Sequence, residues 1–238
     1  MNNKKTYFIT DVHLSMGPDP KKEIIMSFLD MLLKQKADLY ILGDFFNFWA
    51  NNKEMLRLHS DVLSKLKSLT SQGSKVGFLI GNRDFLLSEK TLKNFGIDHI
   101  GEEALIELDS HHIFLAHGHT LCRGDIKFLK YRERVWPLFR FLDKFLPGNV
   151  ENYIATKFML QSKKTIAKQD PETFEVTPSR LRYFFDNGCD VIICGHLHKL
   201  EQTITGNNQF YTLPEWEKDK GNYLLYENNT FTFDYFNG

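Results

Sequence analysis

Seven residues in this chain have side chains suited to a divalent cation: Asp11 and His13 in "TDVHL", Asp44 in "ILGDFF", Asn82 in "LIGNRD", His117 in "LAHGH", and His196 and His198 in "CGHLHK". They offer oxygen and nitrogen but no thiolate, a donor set that suits Mn²⁺, Fe²⁺ or Zn²⁺ better than an all-oxygen Mg²⁺ or Ca²⁺ cage, and Mn²⁺ is the expected ion. Seven ligands are too many for one cation. Two ions roughly 3.5–4 Å apart, bridged by a carboxylate, would use them all, and such a pair clamps a phosphate while activating a water. In an extended strand residues i and i+2 share a face, so Asp11 and His13 can chelate one ion. The same holds for His196 and His198, although coil geometry would let each serve a different ion.

Taken singly, none of these residues is persuasive, because a strand-end Asp usually caps a helix or forms a turn. The argument lies in where they stand. Short apolar stretches, "TYFIT", "DLYIL", "VGFLI", "IFLA" and "DVIIC", each stop abruptly at one of the candidate ligands. Their brevity and their Ile, Leu, Phe and Val content read as buried strands. Between the first three lie helical patterns, "KKEIIMSFLDMLLKQK" and "KEMLRLHSDVLSKLKSL", with apolar residues at i, i+3 and i+4. Strand, helix, strand, helix, strand predicts a parallel β-α-β core. A hairpin is expected about Asp109 and Ser110, and the last 40 residues carry alternating strands with Gly-Asn turns, which predicts a mixed two-sheet α/β fold. Ligands of such sheets bind beyond the carboxyl ends of the strands, where every candidate sits.

At 238 residues the chain is long enough for one domain with a sizeable core, and 1–238 is read as a single domain. Thirty basic and thirty acidic residues leave no net charge to attract nucleic acid. Three scattered cysteines, Cys122, Cys189 and Cys194, argue against a disulfide framework and for a reducing compartment, with Cys194 a core residue. No run approaches the ~18 apolar residues of a membrane span, so a cytoplasmic protein is expected. Residues 121–188 interrupt the strand rhythm with a predicted helical insertion. Within 121–170, eleven Lys/Arg face five Asp/Glu, and basic residues alternate with Trp, Phe and Leu in "KFLKYRERVWPLFRFLDKFL". That pattern predicts peripheral contact with an anionic inner-membrane surface.

Other polar residues take ordinary readings. His111 and His112 at a turn and His59 on a helix are expected to face solvent. Asn47, three residues beyond Asp44, is not expected to be a ligand, and Trp49 and the neighbouring phenylalanines are expected to pack. His119 competes with His117 as the ligand in "HGH"; His117 is preferred because it directly follows the strand.

The ordered set D-x-H, G-D, G-N-R-D, H-G and G-H-x-H resembles the calcineurin-like metallophosphoesterase superfamily over essentially the whole chain. The resemblance implies a two-sheet β-sandwich flanked by helices, with a dinuclear metal site. It implies that Asp11, His13, Asp44 and His198 hold one ion and that Asp44, Asn82, His117 and His196 hold the other. "TDVHL", "YILGDFFNFW", "GNRDFLL", "HGHTLC" and "GHLHK" look like the branch that hydrolyses UDP-2,3-diacylglucosamine in lipid A synthesis, which implies that lipid-linked UDP-sugar as substrate. By that likeness Asp44, Asn82, Arg83 and His117 are catalytic, and Asn82, Arg83, Asp125, Ser162 and His196 meet the substrate. Arg83 stands where many relatives have a histidine, and its planar fork suits phosphate oxygens. Asp84 either orients its loop or caps the next helix. The chain departs from the branch at His119, where an Asp is common, and in "KKTIAKQDP" after Ser162, where Lys163, Lys164 and Lys168 stand in for the expected polar contacts. Two rival readings are a phosphoesterase of another nucleotide or phosphodiester, and a non-catalytic scaffold on the same fold.

Overall fold

The computed structural model describes residues 4–122, Pro137 and 176–238. Two sheets face each other. The first runs in the order β11 (Thr230–Asn237), β10 (Lys220–Glu227), β1 (Thr6–Ile9), β2 (Asp38–Leu42), β3 (Val76–Leu79), β4 (Asp98–His99). The second runs β5 (Glu103–Leu108), β6 (His111–Ala116), β7 (Val191–Cys194), β9 (Asn208–Thr212), β8 (Glu201–Thr205). β1, β2 and β3 are parallel, as the alternation of strand and helix predicts. β5 and β6 form the expected antiparallel hairpin, with Asp109 at φ 50° in its turn. The tail is only partly antiparallel, because β9 runs parallel to β7.

The uninterrupted apolar runs follow from burial on both faces. Phe8, Tyr40, Leu42 and Leu79 of the first sheet meet Ile113, Leu115, Val191 and Ile193 of the second in the inter-sheet core. Tyr7, Ile9, Leu39, Ile41 and Phe78 point the opposite way, onto α1 (Lys21–Gln35) and α3 (Ser60–Ser71). α1 buries the stripe Ile24, Ile25, Phe28, Leu29 and Leu32, the one-sided spacing of a helix lying on a sheet. On the outer face of the second sheet, α5 (Pro178–Asp186) lays Leu181, Phe184 and Phe185 over Phe114, Ile192 and Phe210. The layers are therefore helix, sheet, sheet, helix. α5 falls inside the range expected for the insertion; residues 123–136 and 138–175 of that range, with Asp125 and Ser162, lie outside the described residues. α4 (Glu89–Lys93) is a single turn capped by Ser88.

The second helical pattern is two helices, α2 (Lys53–Leu58) and α3, broken at His59, whose φ −110° and ψ 14° leave the helical region. His59 is also a correction. It does not face solvent but is buried, its ring tilted against those of Phe46 and Trp49. His111 differs as well: its Nδ1 lies 2.6 Å from Asp190 and its ring is half-buried, whereas His112 is exposed as expected.

Candidate metal centre

All five strands that end in candidate ligands deliver them to one edge of the sandwich. The connecting backbone is unusual: Asp11, His13, Asp44, His196 and His198 have φ between 51° and 69°, in the left-handed region that costs a non-glycine residue energy. Such conformations persist where surrounding contacts over-determine them, and they concentrate at functional sites. Here Asp11 N–H donates to Gly43 O, His13 N–H to Asp44 O, and Gly195 N–H to His117 O, so the loops lock one another. β1 ends at Ile9, so strand alternation is not what brings Asp11 and His13 together. Left-handed backbone at both Asp11 and His13 does so, leaving Asp11 Oδ1 3.4 Å from His13 Nε2. Two glycines allow the close packing: a Cβ on Gly81 would collide with Asp44, and one on Gly195 with Thr10 and Asp11.

Each carboxylate is held by one oxygen. Asp11 Oδ2 accepts from the Thr10 hydroxyl at 2.7 Å and from His196 N–H at 2.9 Å, leaving Oδ1 toward His13 and, at 3.3 Å, His198 Nε2. Asp44 Oδ1 accepts from Arg83 N–H at 2.8 Å. Its Oδ2 lies 3.9 Å from His13 Nδ1, 3.5 Å from His117 Nε2 and 3.4 Å from Arg83 Nε. His117 donates from Nδ1 to Leu42 O at 2.9 Å, which turns Nε2 inward to Asn82 Oδ1 at 2.7 Å. The His196 ring stands 5.2 Å from that of His117. Thus Asp11, His13 and His198 converge on one point, and Asp11, Asp44 and His117 on another.

The donors fit divalent cations. Asp11 Oδ1 and both ring nitrogens of His13 are buried without a well-formed hydrogen bond among the described residues, a costly state for polar atoms that a coordinated ion would relieve. His117 Nε2 faces two acceptors, Asn82 Oδ1 and Asp44 Oδ2, which a proton or a cation must reconcile. The electrostatics agree. Burial alone would raise the Asp11 and Asp44 carboxyls, but the facing histidines, His117 foremost, hold both below the usual carboxylate range. Burial alone would lower His117, yet Asp44 and Asp11 push it up to about 9. Cys194 is not a donor: burial drives its thiol well above the ordinary range.

Beside this cluster Arg83 is part-buried, with Nη1 donating to Asn47 Oδ1 at 3.0 Å. Asn47 thus fixes the guanidinium. Asp84 caps no helix. It is fully buried and accepts from Gly81 N–H at 2.8 Å and Phe45 N–H at 2.9 Å, tying the Asp44 loop to the Asn82 loop. Burial, then the charge of Asp44, raises its carboxyl to about 7. His119 is buried too, its ring 5.5 Å from that of His117 and 6.0 Å from that of His196, outside both converging sets. Thr10, which donates to Asp11, and Glu215, whose Oε2 lies 3.3 Å from His198 Nδ1, are site residues the sequence did not mark, since a hydroxyl before Asp11 and an acid in "LPEWE" carry no spacing signal.

Residues 4–200 match the calcineurin-like phosphoesterase family. A Pasteurella multocida protein named UDP-2,3-diacylglucosamine hydrolase is 36% identical over 200 residues, covering 82% of this chain and 83% of that protein. The Haemophilus ducreyi protein of the same name is 33% identical over 233 residues, covering 95% of this chain and 98% of that one. Among solved structures, an archaeal phosphodiesterase superposes with a TM-score of 0.54 at 13% identity, covering 97% of this chain and 99% of that one, a likeness of fold.

Proposed function

The chain belongs to the calcineurin-like phosphoesterase family, and from that membership we propose that it is a metal-dependent hydrolase of UDP-2,3-diacylglucosamine, cleaving the pyrophosphate to give UMP and 2,3-diacylglucosamine 1-phosphate for lipid A synthesis. The observation that carries the chemistry is Asp44 Oδ2, which stands between His13 from one strand end and His117 from the other sheet. Similarity to proteins of that activity along nearly the whole chain supports the substrate.

In this reading Asp11, His13, Asp44 and His198 hold one cation, and Asp44, Asn82, His117 and His196 the other, with Mn²⁺ the ion the donor set favours. Two such cations, when bound, supply Lewis acidity and lower the pKa of a water. The chain supplies the rest. Asp44 bridges in this reading, since its Oδ2 lies 3.9 Å from His13 Nδ1 and 3.5 Å from His117 Nε2, while Asp11, which belongs to both converging sets, stands beside it. Arg83, steadied by Asn47, offers its remaining N–H groups to phosphate oxygens, and Asn82 and His196 are proposed to meet the substrate as well. Such positioning and charge stabilisation suffice for phosphoryl transfer without a covalent intermediate.

Asp125 and Ser162, outside the described residues, are proposed to meet the sugar head group. Among the described residues no helix is long and apolar enough to cross a membrane. The basic, apolar segment of 121–169 is proposed to rest on the anionic inner face of the membrane; salt-sensitive binding to anionic vesicles would support this, and indifference to salt and lipid charge would remove it.

The test of the activity is to incubate purified protein and Mn²⁺ with UDP-2,3-diacylglucosamine and follow UMP. UMP release supports the reading. Hydrolysis of bis-p-nitrophenyl phosphate without UMP release would make it a phosphoesterase of another substrate. Retention of all seven ligand types argues against a non-catalytic scaffold.

A further inference from the structure

His198 has two ring nitrogens and the structure gives each a separate partner. Nε2 lies 3.3 Å from Asp11 Oδ1, inside the candidate centre. Nδ1 lies 3.3 Å from Glu215 Oε2, on the outer side. A histidine that ligates a metal through one nitrogen commonly donates the other N–H to a carboxylate, which fixes the tautomer, sets the ring angle and makes the ligating nitrogen more basic. We propose that Glu215 is a positioning residue for His198, holding its ring so that Nε2 faces the cation shared with Asp11 and His13.

Glu215 is itself held in place. Its backbone carbonyl accepts from Asn222 Nδ2 at 2.6 Å, and the next residue, Trp216, donates its backbone N–H to Asp11 O at 3.1 Å and its indole N–H to Asn222 O at 2.9 Å. The segment that carries the acid is thus tied directly to the residue whose carboxylate His198 approaches. Asp11 is fully buried and gripped at Oδ2, whereas His198 is partly exposed and left-handed at its backbone, so it is the ligand with most freedom to swing away. The Glu215 side chain is about half exposed. An ion pair that open to water adds little to folding, so its removal should spare the fold and register at the metal.

The inference rests on the assignment of His198 as a ligand, and the experiment separates the two. Metal-stripped full-length protein is titrated with Mn²⁺ by calorimetry, with free Mn²⁺ followed by electron paramagnetic resonance, for wild type, Glu215→Ala, Glu215→Gln and His198→Ala. Expected for Glu215→Ala is a loss of about 10–100-fold in affinity at one of two Mn²⁺ sites, the usual scale for such supporting groups. Glu215→Gln, which keeps an acceptor, should recover part of it, and the metal-free melting temperature should not move in either. His198→Ala weakened but Glu215→Ala equal to wild type would overturn the positioning role alone. Both variants equal to wild type would remove His198 from the ligand set. A raised KM for the nucleotide-sugar with unchanged Mn²⁺ affinity would make Glu215 a substrate contact instead, and a metal-free melting temperature falling in step with affinity would make it structural.

Discussion

Asp44 Oδ2, from the loop after β2 in one sheet, lies 3.5 Å from His117 Nε2, from the loop after β6 in the other. One carboxylate oxygen thus joins the two halves of the sandwich at the edge where all candidate ligands gather. Its other oxygen accepts from Arg83 N–H, so Oδ2, which also lies 3.4 Å from Arg83 Nε, is the oxygen proposed to be shared between two ions. Asp44→Ala should remove a ligand from both ions and lower kcat by at least about 10²-fold, the scale of losing a group that stabilises the transition state. More than a tenth of wild-type activity in a folded Asp44→Ala protein would sink the dinuclear assignment.

Arg83→Lys keeps the charge and loses the fork. The guanidinium is steadied through Nη1 by Asn47, a contact the shorter donor set of an ammonium cannot reproduce together with bidentate contact to phosphate. kcat/KM should fall by roughly tenfold or more, about 1.4 kcal/mol, with metal content unchanged. Asn47→Ala should produce a smaller fall of the same kind. Equal kcat/KM in Arg83→Lys and wild type would leave Arg83 only a general electrostatic part.

His117 and His119 are both buried, and only His117 shares a converging set with Asp11 and Asp44. His117→Ala should therefore lose Mn²⁺ and activity together, and His119→Ala should be milder. Measured Mn²⁺ stoichiometry in the two variants decides it; the reverse order moves the ligand to His119.

Much of this site was legible because burial on both sheet faces leaves uninterrupted apolar runs, and "DLYIL" or "DVIIC" can only stop where the strand stops. The residue after such a stop stands at the crevice whatever the loop does. Conformation within the loops was not legible. Strand alternation suggested how Asp11 and His13 meet, but left-handed backbone does it instead, held by hydrogen bonds from residues about 30 positions away. Glu215 owes its place to Asn222 and, through Trp216, to Asp11, contacts made where β10 pairs with β1, so nothing local in "LPEWE" marks it. His59 misled for a related reason. Its helical spacing is genuine, but the helix breaks at His59 and the ring lies inward against Phe46.

His59 supplies a prediction about stability that does not involve the metal centre. Both its ring nitrogens are buried without a hydrogen bond among the described residues, and its ring lies 4.6 Å from that of Phe46 and 6.0 Å from that of Trp49. Burial, then the charge of Lys22, outweighs Asp61 and Asp19 and lowers its pKa from the ordinary 6.5 to about 4. The native state therefore keeps His59 neutral where the unfolded chain would protonate it. Its contribution is fully present above pH 6.5 and is lost as pH falls from 6.5 toward 4, because only the unfolded state gains a proton in that window. Between pH 7.5 and pH 5 the difference should cost about 2 kcal/mol. His59→Leu keeps an apolar side chain against Phe46 and removes the titration. In urea unfolding of chelator-treated protein, wild type should lose about 2 kcal/mol more than His59→Leu over that interval, whatever the other histidines contribute to both. Parallel pH profiles for the two proteins would mean that His59 is protonated in the folded state and that its packing against Phe46 and Trp49 is looser than described.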